Sequence, residues 1–268
     1  VASILGTLQT ESQISNVSGT SEIIGVVTEN DHAADEDTCA RYLCYPYKDG
    51  LQLRLGVTKT GSACIDWFLD TFFKGSAGPG RKADRFLSEM TGYPRGPKKP
   101  PLLFLPYLNG ERSPLWDPHV SAGFLGVTSV HTLEDLYLSV LEGVGFSVLA
   151  NVELLDPQYA NDRSSISISG GGSRNQLLNQ IKSDIVGKPL YRTVTDSSSS
   201  VGVAMLVASG GGIYESLFEA ADAFVTFEEP YFPDRERHDY YTSLFSLYKE
   251  FYSNNIDWFG RLHRLHGH

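Results

Sequence analysis

The first pattern of apolar and polar positions to resolve into elements is QISNVSGTSEIIGVVTE, residues 13–29. Two β-branched, apolar runs flank Ser18-Gly19-Thr20-Ser21, and the spacing predicts a strand, a tight glycine turn and a second strand. In GSACIDWFLDTFF, from Gly61, the period lengthens. Ile65, Phe68, Leu69, Phe72 and Phe73 recur at i, i+3, i+4 and i+7, which predicts a helix with one buried face. LLFLPY (102–107) has the length and composition of a buried strand. The segment 131–155 carries the longest helical stripe, through Leu133, Leu136, Tyr137, Val140, Leu141, Val144 and Val148. Thr132 is its predicted N-cap, and Glu134 and Asp135 occupy the first turn, where the helix dipole favours anions. Gly143 and Gly145 inside it each cost about 1 kcal/mol of helix propensity against Ala, so another backbone is expected to pack closely there.

SSISISGGGSRNQLLNQIKSDIVGKPLYRTV (164–194) reads as a strand, three glycines, a helix over 175–186 and a further strand. DSSSSVGVAMLVASGGG (196–212) predicts a capped helix of small residues ended by Gly210, Gly211 and Gly212. After the loop EEPYFPD (228–234), Leu244, Leu247, Tyr248 and Phe251 mark an amphipathic helix, and the closing WFGRLHRLHGH shows no clear element. Strands and helices alternate through the second half, so the class is α/β.

Composition narrows the options. A chain of 268 residues with 41% hydrophobic and 20% charged residues can build a sizeable core and is not a disordered polymer. Twenty-two Lys and Arg against 32 Asp and Glu give a net charge of −10, which argues against nucleic acid as the main partner. Cys39, Cys44 and Cys64 have no CxxC or Cys/His zinc spacing; Cys39 and Cys44 are expected to be buried thiols in a cytoplasmic protein. Neither a membrane span nor an export leader is visible in the pattern. The acidic stretch 29–37 lacks calcium-loop spacing and reads as a solvated loop. Between Arg81 and Lys99, six basic and two acidic residues read as a surface loop with a short helix.

Three glycine turns carry the candidate chemistry: Gly19-Thr20-Ser21, Gly61-Ser62 and Gly170-Gly171-Gly172-Ser173-Arg174-Asn175. A hairpin tip offers backbone N–H groups and two hydroxyls to phosphate oxygens. A glycine turn opening a helix lets a phosphate or flat ligand approach the backbone, with the dipole favouring negative charge. Neither GxGxxG nor GxxxxGK[ST] is present, which disfavours Rossmann and P-loop folds. The residues themselves support an α/β protein that binds a nucleotide.

The combination of SGTSEIIGVVTE, TGSACIDWFLD, LPYLNGERSPLWDPHVSAGFLG, a long helix with LEGVGF, and SGGGSRNQLLNQIKSDIVGKPL resembles the C-terminal domain of FGGY carbohydrate kinases, close to xylulokinase-type members, with gluconokinase and other branches sharing the same blocks. The resemblance implies a ribonuclease-H-like, actin-like ATPase domain, a mixed β-sheet flanked by helices, over residues 1–255, with 256–268 as a tail. It implies ATP with Mg2+ and a sugar or polyol acceptor, with gluconokinase- or ribulokinase-type substrates as the alternative. It further implies a sugar-binding N-terminal domain as partner in the same protein, and is compatible with a homodimer. Gly19, Thr20 and Ser21 match the hairpin that touches the ATP phosphates. Gly61 matches a glycine lining the nucleotide pocket, and Asp66 stands one helical turn on, facing the base or ribose. Gly171, Gly172 and Asn175 match the loop and helix start that hold adenosine. No catalytic residue and no metal ligand carries over. The family's general base, an Asp, is expected upstream of VASILG, which makes this chain a fragment that binds nucleotide weakly and phosphorylates nothing alone. A non-catalytic nucleotide-binding regulator on the same scaffold is the competing expectation.

Other residues attract blander readings. Glu111, Arg112 and Asp117 suit either a surface ion-pair cluster or a site. His131 reads as the residue before a helix cap, and His263, His266 and His268 as a solvated tail. Trp67, Trp116 and Trp258 read as core or cover residues.

Overall fold

The runs around Gly19 form the hairpin that their alternation predicts: β1 (Gln13–Ser18) pairs antiparallel with β2 (Glu22–Glu29), Ser18 standing opposite Glu22. In the computed structural model, which describes residues 1–29, 40–47, 50–73, 86, 99–157 and 162–265, this hairpin is the middle of a six-stranded sheet. The remaining strands in chain order are β3 (Leu43–Pro46), β4 (Leu51–Val57), β5 (Leu103–Leu105), β6 (Gly123–Leu125), β7 (Ser165–Ser169) and β8 (Leu190–Arg192). The sheet order is β3-β4-β2-β1-β7-β8, with β1, β7 and β8 parallel and the others antiparallel, while β5 and β6 make a separate two-stranded ribbon. The acidic loop, most of the basic segment, Cys39, His266 and His268 lie outside the described residues.

The helices are α1 (Ala2–Leu5), α2 (Ala63–Phe72), α3 (Leu133–Leu155), α4 (Gln176–Val186), α5 (Ser198–Gly210), α6 (Leu217–Phe224) and α7 (Arg235–Arg264). Period-two alternation in β2 sends Ile24 and Val26 to one face of the sheet and Val27 to the other. The first face carries the large core with α2, α3, α4 and α7; the second holds a smaller cluster of Ile4, Leu8, Val27, Leu53 and Leu55. α3 is buried nearly all round, and Thr132 and Asp135 close a capping box at its start. By length and composition α3 could cross a membrane, but it is mostly buried and forms the centre of this core. At Gly143 a Cβ would come within 2.5 Å of the Phe104 carbonyl oxygen, the close backbone contact its position predicts.

Several expectations need correcting. WFGRLHRLHGH does not begin a structureless tail: α7 runs through Arg264 and buries Phe259, so residue 255 lies mid-helix. Cys44 is exposed on β3, its thiol donating to Gln52 Oε1 at 2.7 Å; Cys64 is the buried thiol, pushed up to about 12 by burial. The Ser197 side chain makes no cap bond to α5, and Asp196 instead meets Arg174 and Arg192. Trp116 and Trp258 are each half exposed, whereas Trp67 stacks on Phe104.

Candidate functional site

The three glycine turns come from distant parts of the sequence and meet at one end of the central strands. At the hairpin tip the Gly19 amide donates to Ser21 O at 2.9 Å, leaving Thr20 exposed. The turn before α2 clasps that tip: Gly61 N donates to Thr20 O at 2.7 Å and Ser62 N to Gly19 O at 3.0 Å. Ser21 Oγ donates to Lys59 O at 3.2 Å on the same segment. Because β7 runs parallel to β1, its end arrives beside the tip, with Val17 opposite Ser169. There the chain turns through Gly170 at φ +88°, a left-handed conformation that glycine adopts without penalty, and a Cβ would overlap Ser18 O. A 3-10 turn, Gly171–Arg174, leads into α4, which Asn175 caps by accepting from Leu178 N at 3.0 Å.

The glycines do different jobs. Gly61 and Gly172 are packing glycines: a Cβ at Gly61 would lie 2.9 Å from Glu22 N, and one at Gly172 would overlap the hydroxyls of Ser18 and Ser62. Gly171 is exposed, and a Cβ there would meet no described atom within 4 Å. Positive φ therefore sits at Gly170, while open space sits at Gly171. Asp66 is exposed in the first turn of α2. Burial pushes the Tyr137 hydroxyl up to about 12; Asn175 opposes that shift and the Asp66 charge adds to it, so these three residues share one edge of the site. The structure thus brings the turns of Gly19, Thr20 and Ser21, of Gly61, and of Gly171, Gly172 and Asn175 together, with Thr20, Gly171 and Asp66 exposed and Gly61 buried beneath them. Backbone amides, hydroxyls and the start of α4 favour an anionic, phosphate-bearing ligand there.

Two charged features lie beside these turns; the sequence reading passes over the first and leaves the second undecided. Under the hairpin, Lys182 of α4 and Glu22 of β2 are both fully buried, with Lys182 Nζ 2.9 Å from Glu22 Oε2. The ammonium also donates to Asn16 Oδ1 at 2.9 Å and Ser18 Oγ at 3.3 Å. Ser18 Oγ donates to Glu22 Oε1 at 2.9 Å, and Asn16 Nδ2 to Glu22 Oε2 at 2.7 Å. Burial lowers the Lys182 pKa, with Glu22 opposing. Signals existed: Glu22 shares the inward register of Ile24 and Val26, and Lys182 lies on the buried stripe with Leu178 and Ile185.

Glu111 is the second feature. It is no member of a surface ion-pair cluster, being only 3% exposed. Its Oε1 accepts from Lys59 N at 2.5 Å and Arg112 N at 2.7 Å, while Oε2 has no partner among the described residues. Burial raises its pKa to about 7, against the two amide bonds and the charges of Arg112 and Lys59. Asp117 turns instead to His119 N and Tyr252. His131 sits before the α3 cap, bonded to Thr128 and the Pro100 carbonyl, and takes no part in the site.

Comparison with known proteins agrees with this fold. The family model for "FGGY family of carbohydrate kinases, C-terminal domain" matches residues 14–210. A xylulose kinase of Bacillus subtilis strain 168 is 30% identical over 203 residues, 76% of this chain and 39% of the relative. Among solved structures, the ligand-bound xylulose kinase of Lactobacillus acidophilus superposes with a TM-score of 0.84 at 25% identity, covering 97% of this chain and 51% of that one. A gluconate kinase from the same organism gives 0.82 at 24% identity, covering 97% and 51%, a likeness of fold. The chain thus spans about two-fifths of its first curated relative and half of each of these solved structures.

Proposed function

The chain belongs to the FGGY family of carbohydrate kinases, and on that premise we propose that its glycine-turn surface binds the nucleotide of an ATP-dependent phosphoryl transfer to a sugar or polyol hydroxyl. The observation that carries this reading is the convergence of three glycine turns, 42 and 110 positions apart from Gly19 to Gly61 and from Gly61 to Gly171, around open space at Gly171. The Gly19–Ser21 tip would orient the phosphates chiefly through Thr20, whose side chain is exposed while the Gly19 amide and Ser21 hydroxyl donate within the protein. Gly171, Gly172 and Asn175 would hold the nucleoside, with Asp66 at the ribose or base and the α4 dipole favouring the negative charge. Among the described residues no group of three or more His, Cys, Asp or Glu is arranged to hold a metal ion. Mg2+ fits here as the counter-ion of the triphosphate itself, where it neutralises phosphate charge. In this chemistry positioning and charge neutralisation supply most of the acceleration.

The acceptor is proposed to be a ketopentose, as the name of the B. subtilis relative suggests, with an aldonate as the competitor suggested by the gluconate kinase. A sugar-binding domain of the same protein would supply the acceptor pocket and the carboxylate that takes the hydroxyl proton, and the site would operate in the cytoplasm. General-base assistance is worth roughly 10²–10⁴-fold and oriented binding more, so the 268 residues alone are expected to bind nucleotide without sugar-dependent ATP consumption. Titration with a fluorescent ATP analogue, followed by a coupled assay with xylulose, ribulose, glycerol and gluconate, tests both parts. Absence of saturable binding overturns the nucleotide site; turnover with any acceptor overturns the division of labour.

A further inference from the structure

Lys182 and Glu22 hold together two parts of the glycine-turn surface that have no covalent link for 160 residues. Glu22 is the first residue of β2, directly after the Gly19–Ser21 tip, and Lys182 lies two turns into the helix that Gly171–Asn175 opens. Between them stands Ser18, whose hydroxyl donates to Glu22 and accepts from Lys182. The same Ser18 is the seat of the third glycine turn, since its carbonyl fills the space a Gly170 side chain would need and its hydroxyl the space at Gly172. Among the described residues, every acceptor around the ammonium belongs to the hairpin: Asn16, Ser18 and Glu22.

We infer that Lys182 and Glu22 are a positioning pair, with Ser18 as its hub, that sets the phosphate-facing hairpin against the nucleoside-facing turn. This rests on the nucleotide reading proposed above. A buried ion pair costs much desolvation and is weak evidence of added stability, so its place between the two elements points to their registration. Because a ligand spanning both turns is bound most tightly when their spacing is fixed beforehand, loosening the tie weakens affinity even in a folded protein.

The decisive variant is Glu22→Gln with Lys182→Met. The carboxamide introduced by Glu22→Gln still accepts from Ser18, and its NH2 group can donate to Asn16 Oδ1, so the hairpin keeps internal partners while the tie to α4 is cut. Ser18→Ala is the milder companion, removing only the hub hydroxyl. Fluorescent-ATP affinity is measured at a temperature where thermal melts show each protein folded, together with hydrogen exchange, without nucleotide, of the Ser173 and Asn175 amides that close the turn seated on Ser18. The double variant is expected to lose about tenfold or more in affinity, with Ser18→Ala in between. It is also expected to exchange both amides about tenfold faster or more. Unchanged amide exchange in both variants, or wild-type affinity in either, overturns the positioning role, which a purely stabilising pair would not fill. If the wild-type chain binds no nucleotide, the functional reading falls, and amide exchange still decides whether the pair registers the turns.

Discussion

Glu22 and Glu111 are both buried carboxylates within reach of the glycine turns, and they are provided for in opposite ways. Glu22 meets an ammonium, a hydroxyl and a side-chain amide, each with good geometry. Glu111 has two backbone amides on one oxygen, a second oxygen with no partner among the described residues, and a pKa raised to about 7 by burial. The contrast shows that burial alone does not decide what a carboxylate does. With a counter-charge from another element, it becomes a fixed cross-link; with amides only, it becomes a group that titrates near neutral pH. Both act on the same turn: Glu22 through the hairpin that Gly61 clasps, Glu111 through Lys59 just before it.

Removing the counter-charge alone should have the largest effect. Lys182→Met leaves Glu22 buried beside hydroxyl and amide partners but without its ammonium, and should cost about 3–5 kcal/mol of unfolding free energy in urea titration at pH 7. A loss below about 1 kcal/mol would mean that Glu22 needs no cation.

Glu111 should respond with the opposite sign. Its folded pKa of about 7 lies above the ordinary 4.5, so the folded state binds the extra proton between those values. Wild-type stability should then fall as pH rises from about 4.5 to 7 and level off above, for a total near 3 kcal/mol. Glu111→Gln keeps an oxygen for both amides and carries no charge. It should match wild type near pH 5 and exceed it by about that amount near pH 8, read from melts across the range. Parallel pH curves for the two proteins would show that Glu111 does not titrate there.

A third carboxylate sets the scale for exposed pairing. Asp196 meets Arg174 and Arg192 and its pKa is lowered, chiefly by the Arg174 hydrogen bond, yet it keeps much solvent contact. Screening should hold the cost of Asp196→Asn below about 1 kcal/mol at neutral pH, shrinking further in added salt. Since its folded pKa is depressed, that small contribution is present above the ordinary carboxylate range and lost as pH falls through the folded value. A cost comparable to that of Lys182→Met would remove the distinction between buried and exposed pairing.

The sequence exposes some of these regions and hides others for physical reasons. The hairpin and the β7–turn–α4 unit are legible because period two changes to period 3.6 across glycines, and the elements appear at the expected places. β4 is hard to read because its α3-facing positions are Gln52, Arg54 and Gly56 rather than apolar residues. Arg54 Nη1 donates to Leu155 O at 3.1 Å, and Gly56 makes room for Asn151. β3 is exposed throughout and shows no buried face. The end of α7 escapes notice because its last turns bury little beyond Phe259. Glu22 and Lys182 each interrupt an apolar pattern alone, and only the three-dimensional pairing across 160 residues explains both. Glu111 sits in a turn-rich block that looks solvent-facing until the Lys59 amide is placed against it.

Whether the three glycine turns bind a nucleotide is read at Gly171, where an added Cβ meets no described atom within 4 Å and φ is not positive. Gly171→Val should melt within a few degrees of wild type while losing most of its affinity for a fluorescent ATP analogue, since the β-branched side chain occupies the ligand's space. Wild-type affinity in a normally melting Gly171→Val protein would contradict the account and place any nucleotide elsewhere.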